Sequence, residues 1–348
     1  MELLDKNTVE SILTIGCQHR PPKGGVAQVL YIYDKYIFDP FHKLSDTRDG
    51  GRIVKLFQLV YASISLFCNL LLSKRTRIVH IHTSSYNSFR RSTVFVSISR
   101  LMRRRIVLHV HGGSFKDFYA SSPEKVRTVL NKCDTIIALT ESWKSFFFGI
   151  TDGPEVVVVN NPIEPPVLMD IVNDGKVHVL FLGLLNEAKG IYDLLEVIKS
   201  GEAKYRNCMM LHVGGNGEVD KVKSMISEYG IGDIVMYEGW LDGERKIKLM
   251  NTCSVFVLPS YYEGLPVSIL EAISYGQYII STKVGGIPEI VNGDIGELLT
   301  PGDRESLKMI LDRVIENPSC YLNRESIRIS AEKYMPDKIA DSLKEIYA

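Results

Sequence analysis

The 348-residue chain carries 41 Lys and Arg against 41 Asp and Glu and is 45% hydrophobic, which excludes a disordered, collagen-like or disulfide-scaffold protein and is enough for two domains. The zero formal charge is unevenly spread: residues 1–165 hold 22 basic against 14 acidic residues (+8), and residues 166–348 hold 19 against 27 (−8). Such asymmetry bears on partners rather than on fold. The cysteines at 17, 68, 133, 208, 253 and 320 never reach a metal or redox spacing and read as reduced core residues. The amino terminus lacks the basic and then apolar order of a signal peptide, so a cytoplasmic chain is expected.

In chain order, a strand over Ser11 to Gly16 leads into the turn Pro21-Pro22-Lys23-Gly24-Gly25, suited to a close approach by a phosphate. From Leu56 to Leu72 there are 17 residues without a charge, just reaching the lower bound for a membrane-crossing helix. With Gln58, Tyr61, Ser63, Ser65 and Asn69 inside it and apolar residues at helical spacing, this segment is expected to be a packed helix of a soluble layer; a spanning or interfacial helix is the rival reading. Strands are predicted over Thr76 to His82, Arg105 to Val110, Asp134 to Leu139 and Glu155 to Val159, with helices near 53–74, 87–103, 123–132 and 141–150. This is the alternation of a parallel doubly wound sheet. The break Asn160-Asn161-Pro162-Ile163-Glu164-Pro165-Pro166 and the polar stretch Asp170 to Lys176 mark a linker.

The alternation then restarts, with strands at Lys176 to Gly183, 207–213, 233–237, 254–258, 278–281 and 295–299, and helices near 189–200, 218–229, 243–251, 266–275 and 285–291. Beyond Arg304 only helices are expected, broken at Pro318 and Pro336. The division read from this is 1–165, 166–330 and a terminal helix 331–348 packing back on the first domain. Open α/β sheets bind ligands beyond the carboxyl ends of their strands, so the segments following each strand matter most.

After the strand ending at Leu258 comes Pro259-Ser260-Tyr261-Tyr262-Glu263-Gly264-Leu265-Pro266, then an apolar helix carrying Glu271. Two carboxylates eight residues apart could hold the two ends of a sugar nucleotide, each accepting hydrogen bonds from a diol, while amides at the helix start face an anion. A cap and a surface Glu would give the same pattern. The pairs His80/His82 and His109/His111 each place two rings on one strand face. A metal site there is a weak reading, because no Asp or Glu occurs from Gly50 to Lys116. That same window holds 12 Lys and Arg, fitting either a solvated basic face or an anionic lipid surface; no nucleic-acid recognition motif accompanies the charge.

Glu263-Gly264-Leu265-Pro266, Glu271-Ala272, Gly285-Gly286-Ile287-Pro288-Glu289, Phe181-Leu182-Gly183 and Lys189-Gly190 together resemble the retaining glycosyltransferases of the GT-B fold that carry two Glu separated by seven residues. The resemblance is dense in the second half and thinner in the first, where it rests on Gly24-Gly25, the His109-x-His111 pair and Asn160-Asn161-Pro162. Lys189-Gly190-Ile191-Tyr192-Asp193 and His111-Gly112-Gly113 look most like transferases of bacterial surface polysaccharides. The resemblance implies two Rossmann-like domains facing a cleft with a helical carboxyl tail. It implies catalytic roles for Glu263 and His111 and donor contacts from Gly25, Lys189, Gly215, Trp240, Gly264, Leu265 and Glu271. Gly24 and Gly112 fall on the acceptor side. One departure stands out: Leu184 occupies the place of a usual arginine.

The implied reaction moves a sugar from a UDP- or GDP-sugar to a lipid-linked glycan with retention, in polysaccharide, O-antigen or capsule synthesis. It needs no cofactor or metal, in keeping with the lack of any Asp-x-Asp in the chain. The enzyme is expected on the inner face of the cell membrane, held through the basic region 52–116. A sugar-nucleotide epimerase or phosphorylase on the same fold, or a non-catalytic membrane-docking partner of another transferase, are the alternatives.

Overall fold

The structure is a computed structural model that describes residues 3–170, 174–317 and 323–348. The break expected at Pro318, Cys320 and part of the polar linker stretch lie outside the described residues. The chain divides into two compact units, Met1–Glu164 with Tyr334–Ala348, and Pro165–Lys333.

The first unit holds β1 (Ile12–Gly16), β2 (Lys43–Ser45), β3 (Ile78–Thr83), β4 (Arg105–Val110), β5 (Thr135–Ala138) and β6 (Glu155–Val158). They form one sheet in the order β2-β1-β3-β4-β5-β6, every pairing parallel. Because helices cover both faces, β1 and β3 are buried at every position, as expected of parallel strands inside an α/β layer. The second unit holds β7 (Val177–Leu182), β8 (Met209–Gly214), β9 (Val235–Gly239), β10 (Val255–Leu258), β11 (Tyr278–Thr282) and β12 (Gly296–Leu299), ordered β12-β11-β10-β7-β8-β9 and again all parallel. The strand order reverses between β1 and β3 in the first sheet and between β7 and β10 in the second, and these switch points are where doubly wound sheets open a crevice.

The expected α/β architecture with two doubly wound sheets and a terminal helix is what the chain adopts. Three local expectations differ. The helix predicted over 285–291 is a single turn, Ile287–Glu289, because Gly285, Gly286 and Pro288 disfavour anything longer. Pro336 does not break a helix but opens one, Pro336–Tyr347, where its missing N–H costs nothing. The cysteines among the described residues are free but not uniformly buried: Cys68 is exposed, while burial pushes the Cys17 thiol up to about 11 and Cys133 up to about 12.

The helix Arg52–Leu72 is packed as expected along one face but is far less covered than a packed helix would be. Only Ala62, Leu66 and Leu70 are buried in it, joined by half-buried Leu59 against the core. Ile53, Leu56, Phe57, Val60, Tyr61, Ile64, Phe67 and Leu71 are exposed on its other side. The helical spacing reported a real stripe, but the segment is apolar on both faces and the protein covers one.

Candidate functional site

The loops leaving β7 and β10 meet at the switch point of the second sheet. After β7, Asn186 caps a short turn by accepting from the Lys189 amide at 3.2 Å, and Gly190 follows in the left-handed region at φ 69°. A Cβ on Gly190 would stand 2.1 Å from the Pro259 carbonyl oxygen, so only glycine lets this turn seat against the β10 loop. The Tyr261 amide donates to the Ala188 carbonyl at 2.9 Å and completes the seam.

The seam places Lys189 Nζ 2.5 Å from Glu263 Oε1. That same oxygen accepts from Ser260 Oγ at 2.8 Å. Glu263 is 7% exposed and the Lys189 side chain is about one-quarter exposed, so the carboxylate is held in a largely dry setting with its cation on the wetter side. Glu271 forms a second acid–base pair: Lys246 Nζ, on the helix Gly243–Thr252, donates to its Oε1 at 2.7 Å. Residues 263–266 are loop and the helix begins only at Val267, so the Glu263–Glu271 spacing is not a simple helical rise. No side chain caps that helix, and a helix start without a side-chain cap is suited to an anion.

The glycines of the motif divide by what crowds them. Gly285 (φ 54°) would put a Cβ 1.8 Å from the Glu263 carbonyl oxygen, and the Gly286 amide donates to the Gly264 carbonyl at 2.7 Å. The pair therefore braces the backbone of Glu263. Gly215 is crowded against the Gly183 carbonyl oxygen, 1.9 Å from an added Cβ, and Gly112 against Ser85; both positions are required by packing. An added Cβ on Gly24 or Gly25 would meet nothing within 4 Å, so the loop after β1 leaves open space there. Leu265 is buried, Trp240 is 40% exposed after β9, and Leu184, in the place of the arginine, is 47% exposed. We expect Gly285→Ala to destabilise the second unit by about 1–3 kcal/mol through forced backbone strain. A melting curve with a separate transition for that unit checks it.

In the first unit His111 follows β4 directly. Its Nδ1 meets Asn161 Oδ1 at 3.1 Å and its Nε2 meets His82 Nδ1 at 2.9 Å. An amide oxygen only accepts, so His111 carries its hydrogen on Nδ1 and accepts from His82 at Nε2. Both ring nitrogens are thus engaged. Burial lowers the pKa of all four histidines, to about 3 for His80 and about 4 for His111, the latter partly offset by Asn161. The sign follows from linkage: these rings are neutral when folded and protonate near 6.5 when unfolded, so their contribution is complete above pH 6.5. It is lost as the pH falls toward about 4, by roughly 1.4 kcal/mol per pH unit for each histidine. Denaturant titrations of the chain between pH 7 and 4 should show this slope.

Sequence reasoning missed Ser260, Lys246 and the chain His178–His212–Glu238. Ser260 lies three residues before Glu263 and was within reach of local reasoning; Lys246 gave no local signal. His212 bridges His178 and Glu238 through contacts of 2.9 and 2.7 Å.

Residues 171–334 match the family model described as glycosyl transferases group 1. Over 233 residues the chain is 28% identical to an uncharacterized glycosyltransferase of Methanocaldococcus jannaschii, covering 61% of this chain and 59% of that protein. Over 163 residues it is 28% identical to a lipopolysaccharide 1,6-galactosyltransferase of Escherichia coli, covering 45% and 44%. The matched part therefore spans less than two thirds of these relatives. Among solved structures, Anabaena HepE in complex with UDP and glucose aligns over 97% of this chain and 98% of its own, with a TM-score of 0.74 at 16% identity. The fold is that of the GT-B glycosyltransferases, and the second unit carries the group 1 match.

Proposed function

We propose that the protein is a retaining glycosyltransferase that moves a sugar from a nucleoside-diphosphate donor to a lipid-linked glycan of a surface polysaccharide. The observation that carries this reading is the Lys189–Glu263 pair at the switch point between β7 and β10, inside the segment that matches group 1 glycosyl transferases. Support for the donor class comes from the HepE complex with UDP and glucose, and support for the acceptor class from the lipopolysaccharide galactosyltransferase relative.

In this reading Glu263 accepts hydrogen bonds from hydroxyls of the transferred sugar and Glu271 from the ribose diol. Lys189 turns its ammonium to the departing diphosphate, assisted by the amides that open the helix Val267–Ser274. The charge that develops on the leaving oxygens is then met by donors already in place, and the protein needs to form no covalent bond. Leu184 offers no cation, so the diphosphate depends on Lys189 and those amides. The roles implied by the resemblance, donor phosphate for Gly25 and acceptor side for His111, Gly24 and Gly112, belong to the same reading.

The enzyme works at the inner face of the membrane. The helix Arg52–Leu72 is about 32 Å long and exposes an apolar stripe. Arg52 and Lys55 stand at one end and Lys74 and Arg75 just past the other. A helix covered on one face and apolar on the other suits the interfacial plane of an anionic bilayer rather than a crossing.

Thermal-shift titration with a panel of UDP- and GDP-sugars, followed by turnover with and without a glycan acceptor, tests the reading. We expect one donor to raise the melting temperature and to be consumed with acceptor present. Conversion of donor without acceptor, or only with free phosphate, would favour the epimerase or phosphorylase alternative.

A further inference from the structure

The first sheet buries three histidines, with a fourth, His111, half-buried just past β4, that the transfer reaction does not use as a group. His80 and His82 lie on β3 and His109 on β4, with His82 directly opposite His109 in the register. All three are buried, and one ring nitrogen from each lies within 4.8 Å of the other two.

The outer nitrogens of two of the rings are already fixed. His82 Nδ1 donates to His111 Nε2, whose own Nδ1 is held by Asn161. His80 Nδ1 meets the Tyr347 hydroxyl at 2.7 Å. Their other nitrogens, His80 Nε2 and His82 Nε2, have no hydrogen-bond partner, and His109 has only a backbone contact with Val159 outside ordinary hydrogen-bond geometry. Interior polar atoms are rarely left so. A ring oriented by a bond at one nitrogen, with the other left bare, is the arrangement that orients metal-bound imidazoles.

We propose that His80, His82 and His109 form a binding site for a borderline divalent transition-metal ion of the zinc type, with His111, Asn161 and Tyr347 orienting the ligands. Tetrahedral zinc with bonds of about 2.0–2.1 Å sets its nitrogen ligands about 3.3 Å apart, so the rings close by about 1.5 Å or less on loading. Burial keeps the imidazoles neutral, the form that binds metal. Three imidazoles without a carboxylate disfavour magnesium and calcium, which take oxygen ligands. The ion ties β3 to β4 and, through His80 and Tyr347, to the helix Pro336–Tyr347. It is a structural centre and takes no part in leaving-group departure.

The test uses the full, untagged chain stripped of metal and titrated with Co²⁺ as a spectroscopic probe. We expect one Co²⁺ per chain with the intense visible bands of tetrahedral coordination, displacement by Zn²⁺, and a higher melting temperature with either ion. His109→Phe, which keeps the ring volume, should abolish the bands and the melting shift. His80→Gln, which still offers Tyr347 a partner, should weaken binding at least tenfold and serves if His109→Phe does not fold. His212→Gln, in the other histidine chain, should leave binding intact. Absence of tetrahedral bands in the wild-type chain, binding that survives both His109→Phe and His80→Gln, or binding lost in His212→Gln would overturn the proposal.

Discussion

Glu263→Gln is expected to slow sugar transfer by about 10²–10³-fold, with the effect in kcat and little change in melting temperature. The magnitude is that of removing one pre-positioned electrostatic group from a largely dry site. The amide keeps the shape and can still accept from Ser260, whose hydroxyl lies 2.8 Å from Oε1, so packing is preserved. Lys189, with its side chain about one-quarter exposed, can turn its charge to water. Lys189→Ala should look different. It removes the cation from a carboxylate that is 7% exposed, leaving a buried charge with a single hydroxyl donor, and so should lower stability as well as activity. Comparing kcat, KM for donor and melting temperature across the two variants distinguishes a chemical role for the pair from a structural one. Equal losses of stability in both, with turnover near normal, would remove the pair from the mechanism.

Replacing Leu56, Phe57 and Ile64 together by Ser is expected to lower binding to anionic vesicles by about a hundredfold without unfolding the protein. All three are well exposed, so the folded chain loses no core contact. Full burial of one such side chain is worth about 1.5–3 kcal/mol, and half of that for each of three comes to about 2–4.5 kcal/mol, a range that contains the roughly 2.7 kcal/mol of a hundredfold change. Raising the salt should weaken wild-type binding further, because Arg52, Lys55, Lys74 and Arg75 each contribute about 1 kcal/mol near an anionic surface. Co-sedimentation with vesicles of stated anionic content reads both effects. Unchanged binding in the triple variant would place the contact elsewhere.

Much of this fold was legible because parallel strands buried on both faces announce themselves as short apolar runs, and β7, β10 and β11 were found within two residues of their bounds. The three-residue strand β2 was not, since an edge strand with half-buried positions leaves no alternation to read. At the site, Glu263, Lys189 and Glu271 were visible as residue types in a pattern, yet nothing local showed that Lys189 and Glu263 touch across 74 positions of sequence. Gly215 read as a donor-contact glycine, and Gly285 only as part of the stretch that carries the resemblance. The structure assigns each a packing reason, a backbone carbonyl standing where a Cβ would go. The basic window of the first half was read as charge. The exposed apolar helix within it could not be separated from a core helix, because periodicity reports a stripe and not what covers its other side.

The most direct measurement is nuclear magnetic resonance of the glycoside formed by the purified chain from a UDP- or GDP-sugar and a glycan acceptor, followed in time to fix the anomeric configuration as first released. Transfer with the donor's configuration retained, lost in Glu263→Gln, is the result expected. An inverted product, or transfer undiminished in Glu263→Gln, would contradict the assignment of Glu263 and Lys189 to a retaining transfer.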